Sequence, residues 1–168
     1  MVGINYTHAN QDYIGRINLV DIRADLHTFG KNYPSSGSDA GFLRERIQNN
    51  EIFIALENEE LAAFIIFEIK NDEKLCYIHQ VSVAPEFQRQ GIAKELLNKV
   101  IDESKKEGCK IVCLTTTSNA PWSVNLYKKT GFIEVGTKDV RAEIKPYLNE
   151  WLGYKPETKT YFELNIQG

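Results

Sequence analysis

From Asp12 to Phe29 apolar residues recur at helical spacing. Tyr13, Ile17, Val20 and Ala24 form one stripe and Leu19, Ile22, Leu26 and Phe29 another, which predicts a long helix. "KNYPSSGSD" then has turn chemistry, and Ser38 or Asp39 can cap a second helix through Ile47 with Phe42, Leu43 and Ile47 inward. Ile52, Ile54 and Leu56 alternate as in a strand. "LAAFIIFEI" is apolar on both faces, as in a strand covered on both sides. Short polar turns, "ENEE" and "NDEK", join these to "LCYIHQVSV" and predict antiparallel hairpins.

After residue 91 the period returns to that of a helix. Ile92, Leu96 and Val100, flanked by Leu97 and Ile101, make one apolar stripe, with charged residues mostly opposite, and Gly108 marks the stop. The strand "KIVCLTTT" therefore follows a crossover and should run parallel to "LCYIHQVSV". A further helix is expected from Trp122 to Thr130, with strands near 132–136 and 160–166 and a short helix around Tyr147 to Leu152. The pattern is that of a mixed α/β domain, one domain over residues 1–168.

Composition narrows the function classes. The chain of 168 residues is 42 % hydrophobic and 26 % charged, ordinary for a soluble globular protein. A net charge of −3 supplies no general attraction for nucleic acid or an anionic membrane, and no apolar run approaches the ~18 residues that span a bilayer. The N-terminus carries no leader pattern. Cys76, Cys109 and Cys113 form no metal-ligand spacing and read as buried thiols of a reducing cytoplasm, so no metal is expected.

The candidate chemistry lies in "VAPEFQRQGIAKELL", where a strand passes into a helix. A helix N-terminus presents unpaired N–H groups and partial positive charge. Gln88, Arg89, Gln90, Gly91, Ile92 and Ala93 can wrap that end so that several N–H groups converge on an anion. Gly91 and Ala93 let a phosphate approach the backbone, and Arg89 adds charge. Taken alone the hexapeptide also reads as an ordinary strand-to-helix turn. It matches neither G-x-G-x-x-G nor a P-loop.

"QRQGIA" after a strand, followed downstream by "SNAPWSVNLYKKTGF", resembles the two signature segments of the GNAT superfamily of acyl-CoA-dependent N-acetyltransferases. The likeness is strong from about residue 75 to 135 and looser before that. It implies a splayed, mostly antiparallel sheet with a central parallel pair, flanked by helices. It also implies acetyl-CoA as co-substrate and direct transfer to a primary amine of a small molecule or peptide. By this resemblance the diphosphate sits on residues 88–93, the pantetheine amides pair with the strand at Val81 and Val83, and Asn119 meets the pantetheine. Asn119 stands seven residues before Leu126, where many members have six, so Asn125 is its alternative.

The resemblance places Tyr127 near the thioester sulfur as proton donor to the leaving thiolate; the plain alternative is a core tyrosine. A backbone N–H near Val81 would meet the oxyanion. His79 suits proton removal from the amine, with Glu68 or ordered water as alternatives. Cys113 has no activating neighbour in sequence. Tyr33, Trp122, Tyr147, Trp151 and Tyr154 could wall an acceptor groove, and Asp39, Glu143 and Glu150 could attract a cation. Each also reads as a packing or surface residue. A non-catalytic acyl-CoA-binding regulatory module is the rival function, and the terminal strand "TKTYFELNI" offers an edge for a homodimer.

Overall fold

A computed structural model describes residues 3–118, 120–149 and 159–168. The strands are β1 (Asn5–His8), β2 (Ile52–Glu57), β3 (Glu60–Lys70), β4 (Leu75–Val83), β5 (Ile111–Thr117), β6 (Ile133–Val135) and β7 (Lys159–Asn165). The helices are α1 (Ile14–Phe29), α2 (Ala40–Gln48), α3 (Ile92–Lys106) and α4 (Pro121–Lys129). The sheet order is β1-β2-β3-β4-β5-β7-β6, antiparallel except for β4–β5, where Leu75↔Ile111 through Ile78↔Leu114 pair in parallel. The predicted mixed fold, with one parallel pair made by a crossover helix, is the observed one.

The chain divides into two compact units, Met1–Glu68 with Gln80–Val100, and Ile69–His79 with Ile101–Gly168. Each boundary falls inside an element, β3 between Glu68 and Ile69, β4 between His79 and Gln80, and α3 between Val100 and Ile101.

In the first unit β3 is buried from Leu61 to Phe67 without alternation, as its two-faced apolar sequence requires. The β2–β3 turn needs positive φ at two successive residues. Asn58 (φ 50°) and Glu59 (φ 67°) supply it, in a turn closed by the Glu57↔Glu60 pair. α1 buries Ile17, Val20 and Ala24, as its first stripe predicts, and leaves Leu19 exposed. Asp39 caps α2 by accepting from the Phe42 N–H at 2.9 Å. β1 is absent from the sequence reading, because four residues of alternating polarity carry too little apolar signal to stand out.

Arg46 is buried at the end of α2 and holds three carboxylates, Glu51 and Glu45 at 2.8 Å and Glu68 at 3.6 Å. Glu68 therefore neutralises a buried guanidinium, which counts against its use as a base.

In the second unit a core forms from Leu75, Tyr77, Cys113, Val140, Ile144 and Tyr161, with Tyr147 packed against it. Val140, Ile144 and Tyr147 come from the segment after β6, and Arg141 tethers that segment to Glu163 of β7 at 2.5 Å. The short helix expected around Tyr147 is a 3₁₀ turn, Lys145–Asn149, one of whose residues is a proline. Residues 150–152 of that expectation lie outside the described residues.

β7 lies between β5 and β6 and pairs with both. The terminal strand is therefore not an edge strand as expected: its backbone groups facing β5 are paired from Lys159 to Asn165, and β6 takes the other side at 161–163. Among the described residues no helix is long and apolar enough to cross a membrane.

Candidate active site

β4 ends at Val83, and a 3₁₀ turn at Pro85–Phe87 carries the chain toward α3. That turn is anchored by Ala84, whose N–H donates to Ala62 O at 2.8 Å, and by the two-pronged Arg23–Glu86 pair at 2.8 Å. Gln88 turns back and donates from Nε2 to Val83 O at 3.1 Å, which ties the loop to the strand it leaves. The Glu95 N–H donates to Gly91 O at 3.1 Å and closes the first turn of α3.

Between these anchors φ alternates in sign: Arg89 is at 62°, Gly91 at 80°, and Gln90 between them is not positive. Such alternation points successive N–H groups to one side and builds an anion-binding concavity. Among the described residues, the N–H groups of Arg89, Gln90, Gly91, Ile92 and Ala93 donate to no protein acceptor. The loop is not plugged by the protein's own side chains at its centre: a Cβ on Gly91 would meet nothing within 4 Å. Arg89 and Gln90 are exposed, while Ile92 is buried and fastens the helix start. Five orphan donors, one guanidinium and a bare glycine suit a diphosphate better than a single carboxylate. A left-handed Arg89 is not legible in the sequence, because arginine has no special preference for that conformation.

Val81 and Val83 lie on β4 in the same unit as the loop, each partly exposed. Gln80 and Ser82, which flank Val81, both turn to one carboxylate. Gln80 Nε2 donates a short bond to Asp21 Oδ1, and Ser82 Oγ donates to the same oxygen at 3.2 Å. Ser38 Oγ donates to Gln80 Oε1 at 3.3 Å, and Ser35 Oγ to Asp25 at 2.6 Å. The Ser38 backbone makes a two-way clamp with the Asn18 amide, at 2.9 and 3.2 Å. Gly37 is required there, since a Cβ would come 2.7 Å from Asn18 Oδ1. The sequence reading missed these residues. The signal was present as Asn18, Asp21 and Asp25, three polar groups at three- and four-residue spacing beside the buried stripe of α1.

Asp21 is 4 % exposed. Burial, then the Asp25 charge one turn away, push its carboxyl up to about 7, against the pull of the Ser82 and Gln80 bonds. Because the folded value lies above the unfolded one, the folded protein holds the proton longer. Stability therefore falls as pH rises from about 4 to about 7 and levels off above, by on the order of 4 kcal/mol for three pK steps. Asp21→Asn should flatten that part of the profile. Denaturant melts of both proteins from pH 4 to 8 check it, and identical profiles would contradict it.

In the second unit His79 is half-buried between two rings. Tyr77 lies 4.9 Å away and Tyr147 5.2 Å away, both edge-on, while Tyr77 and Tyr147 stack at 4.4 Å. Tyr77 also shares a hydrogen bond with Thr115 at 2.9 Å. Tyr147 thus packs on the core, with Lys70 Nζ 5.2 Å from its ring centre. Tyr33 stacks on Phe29 in the first unit, and Trp122 is 54 % exposed. Trp151, Tyr154, Glu150 and Asn119 lie outside the described residues. Asn125 and Glu143 are exposed, Asn125 on α4.

Tyr127 on α4 is 5 % exposed, its ring 5.9 Å from both Phe132 and Phe162. Among the described residues no group hydrogen-bonds its hydroxyl, which leaves that O–H available to an incoming atom. Burial alone raises its pKa well above the usual phenol. A buried phenol donates a hydrogen bond more readily than it surrenders its proton. Cys113 is fully buried and its thiol is pushed up to about 12 by that burial, so it is held protonated and unfit as an acyl carrier.

A sequence model of the acetyltransferase (GNAT) family matches residues 18–132. A ribosomal protein bS18-alanine N-acetyltransferase of Escherichia coli is 27 % identical over 121 residues, 72 % of this chain and 80 % of that protein. A GNAT acetyltransferase of Staphylococcus aureus superposes with a TM-score of 0.77 at 19 % identity, covering 98 % of this chain and 100 % of the other. The PaiA N-acetyltransferase of Thermoplasma acidophilum, in complex with coenzyme A, superposes with a TM-score of 0.74 at 16 % identity, covering 97 % and 99 %. With the family match spanning more than half its length, the chain belongs to the acetyltransferase (GNAT) family, as an acetyl-CoA-dependent N-acetyltransferase.

Proposed function

We propose that this chain, a single cytoplasmic GNAT domain over residues 1–168, transfers acetyl from acetyl-CoA directly to the α-amine of a peptide or protein. The observation that carries the cofactor half is the run of five unpaired N–H groups at Arg89–Ala93 around the open Gly91. The diphosphate lies on that run with Arg89 beside it. The pantetheine amides follow β4 at Val81 and Val83, Asn119 or Asn125 is a further contact of the arm by family resemblance, and a backbone N–H near Val81 receives the oxyanion. Three free, buried cysteines suit a reducing compartment.

Proton chemistry supports the acceptor half. An α-amine, with a pKa near ~7.8, is neutral in roughly a tenth of molecules at pH 7, whereas a lysine amine near ~10.4 is neutral in about four per ten thousand. β4 brings no carboxylate to its end of the sheet, only His79. A histidine is strong enough as a base for an α-amine. His79, directly or through water, takes the proton as the amine nitrogen bonds to the thioester carbon. The tetrahedral oxyanion then collapses, the C–S bond breaks, and the thiolate leaves under the Tyr127 hydroxyl. The E. coli relative is named for a protein alanine acceptor, which agrees with this class.

Thiol release from acetyl-CoA tests the proposal with three acceptors: a peptide with a free N-terminal alanine, the same peptide N-terminally blocked but with an internal lysine, and a small alkyl amine. The first should give kcat/KM at least tenfold above the others. Preference for the blocked, lysine-bearing peptide or the alkyl amine would overturn the α-amine reading.

A further inference from the structure

We propose that Asp21 is a positioning residue for acetyl transfer: one carboxylate oxygen holds the side chains of Gln80 and Ser82 and so fixes the β4 backbone at Val81 between them. The proposal rests on the reading that Val81 receives the thioester carbonyl.

The geometry is specific. Residues 80 and 82 are two apart on a strand, so their side chains leave on one side while Val81 points to the other. Bridging them through a single oxygen, with Gln80 Nε2 also 3.3 Å from Ser82 Oγ, fixes the pleat at residue 81 from behind. The Gln80 amide is oriented at both ends, its NH₂ by Asp21 and its oxygen by Ser38. The same contacts therefore couple the strand to the loop that joins α1 and α2.

Burying a carboxyl to this depth is costly, and an apolar trio of similar volume would pack without that cost. A network that links a helix, a strand and a loop at the residue next to the proposed oxyanion donor has a geometric use instead. Oxyanion donors act only within a few tenths of an ångström of their required place.

The test compares Asp21→Leu, Asp21→Asn, which keeps an acceptor oxygen, and the double variant Gln80→Met with Ser82→Ala. Asp21→Leu and the double variant should lower kcat about tenfold or more, while KM for acetyl-CoA moves less than about threefold. Asp21→Asn should stay within about twofold of wild type. Combining Asp21→Leu with the double variant should add little, since both remove the same link. Amide hydrogen exchange gives a readout that needs no activity. The Ala84 N–H at the end of the strand should lose protection in Asp21→Leu and keep it in Asp21→Asn. If Asp21→Leu does not fold, the double variant alone decides. Unchanged kcat and unchanged exchange in a folded variant would overturn the proposal, as would equal losses with Asn and Leu. A wild-type protein that neither binds coenzyme A nor transfers acetyl would sink the functional reading instead, leaving the exchange result to judge Asp21.

Discussion

Gly91→Glu should weaken coenzyme A binding at least a hundredfold while the protein still folds. The two halves of that expectation have separate causes. A side chain at Gly91 meets no protein atom within 4 Å, so the fold loses only the cost of a left-handed residue, about 1–2 kcal/mol. The binding site loses far more. The new carboxylate projects from the middle of the N–H run, where the phosphates need open backbone, and brings like charge to them. A hundredfold loss corresponds to about 2.7 kcal/mol, within reach of one repulsive contact in a partly desolvated site. Calorimetric titration with coenzyme A, alongside a thermal melt, checks both halves. Affinity retained within a few-fold would mean that the diphosphate lies elsewhere.

Tyr127→Phe should lower kcat by about 10²–10³ with little change in KM for acetyl-CoA. Only an oxygen is removed, and among the described residues that oxygen has no protein partner. Nothing is therefore left unpaired and the ring packing against Phe132 and Phe162 survives. The loss should fall on the step in which negative charge gathers on sulfur, because a donor to the leaving thiolate stabilises the transition state more than the bound substrate. Burial raises the phenol pKa, so the hydroxyl stays protonated through the neutral range and should add no alkaline limb there. Steady-state kinetics from pH 6 to 9 read both points. An unchanged kcat in the phenylalanine variant would return Tyr127 to the core and leave the thiolate to solvent.

The elements with strong periodicity were legible from the sequence alone. The stripe of Ile92, Leu96 and Val100 predicted α3, and the unbroken apolar run of β3 predicted a strand covered on both faces. The polar turns predicted hairpins where Asn58 and Glu59 now make one. β1 was not legible, because a short strand of mixed polarity depends on its neighbour β2 for its existence. The position of β7 was not legible either, since pairing order along a sheet is a long-range property that local pattern does not carry. At the candidate site the residue types around Gly91 pointed to an anion grip, but the left-handed Arg89 that helps aim it is set by backbone geometry. The Asp21 network was hidden for a different reason. A buried carboxylate on an amphipathic helix reads as surface until its partners, Gln80 and Ser82, some sixty residues away, are brought against it.

The most direct measurement is a pair of calorimetric titrations of the unmodified protein, one with coenzyme A and one with pantetheine, which has the arm but no diphosphate. Amide hydrogens gripping the diphosphate at Arg89–Ala93 require coenzyme A to bind at least a hundredfold more tightly than pantetheine. Equal affinities, or no heat with coenzyme A, would contradict the account.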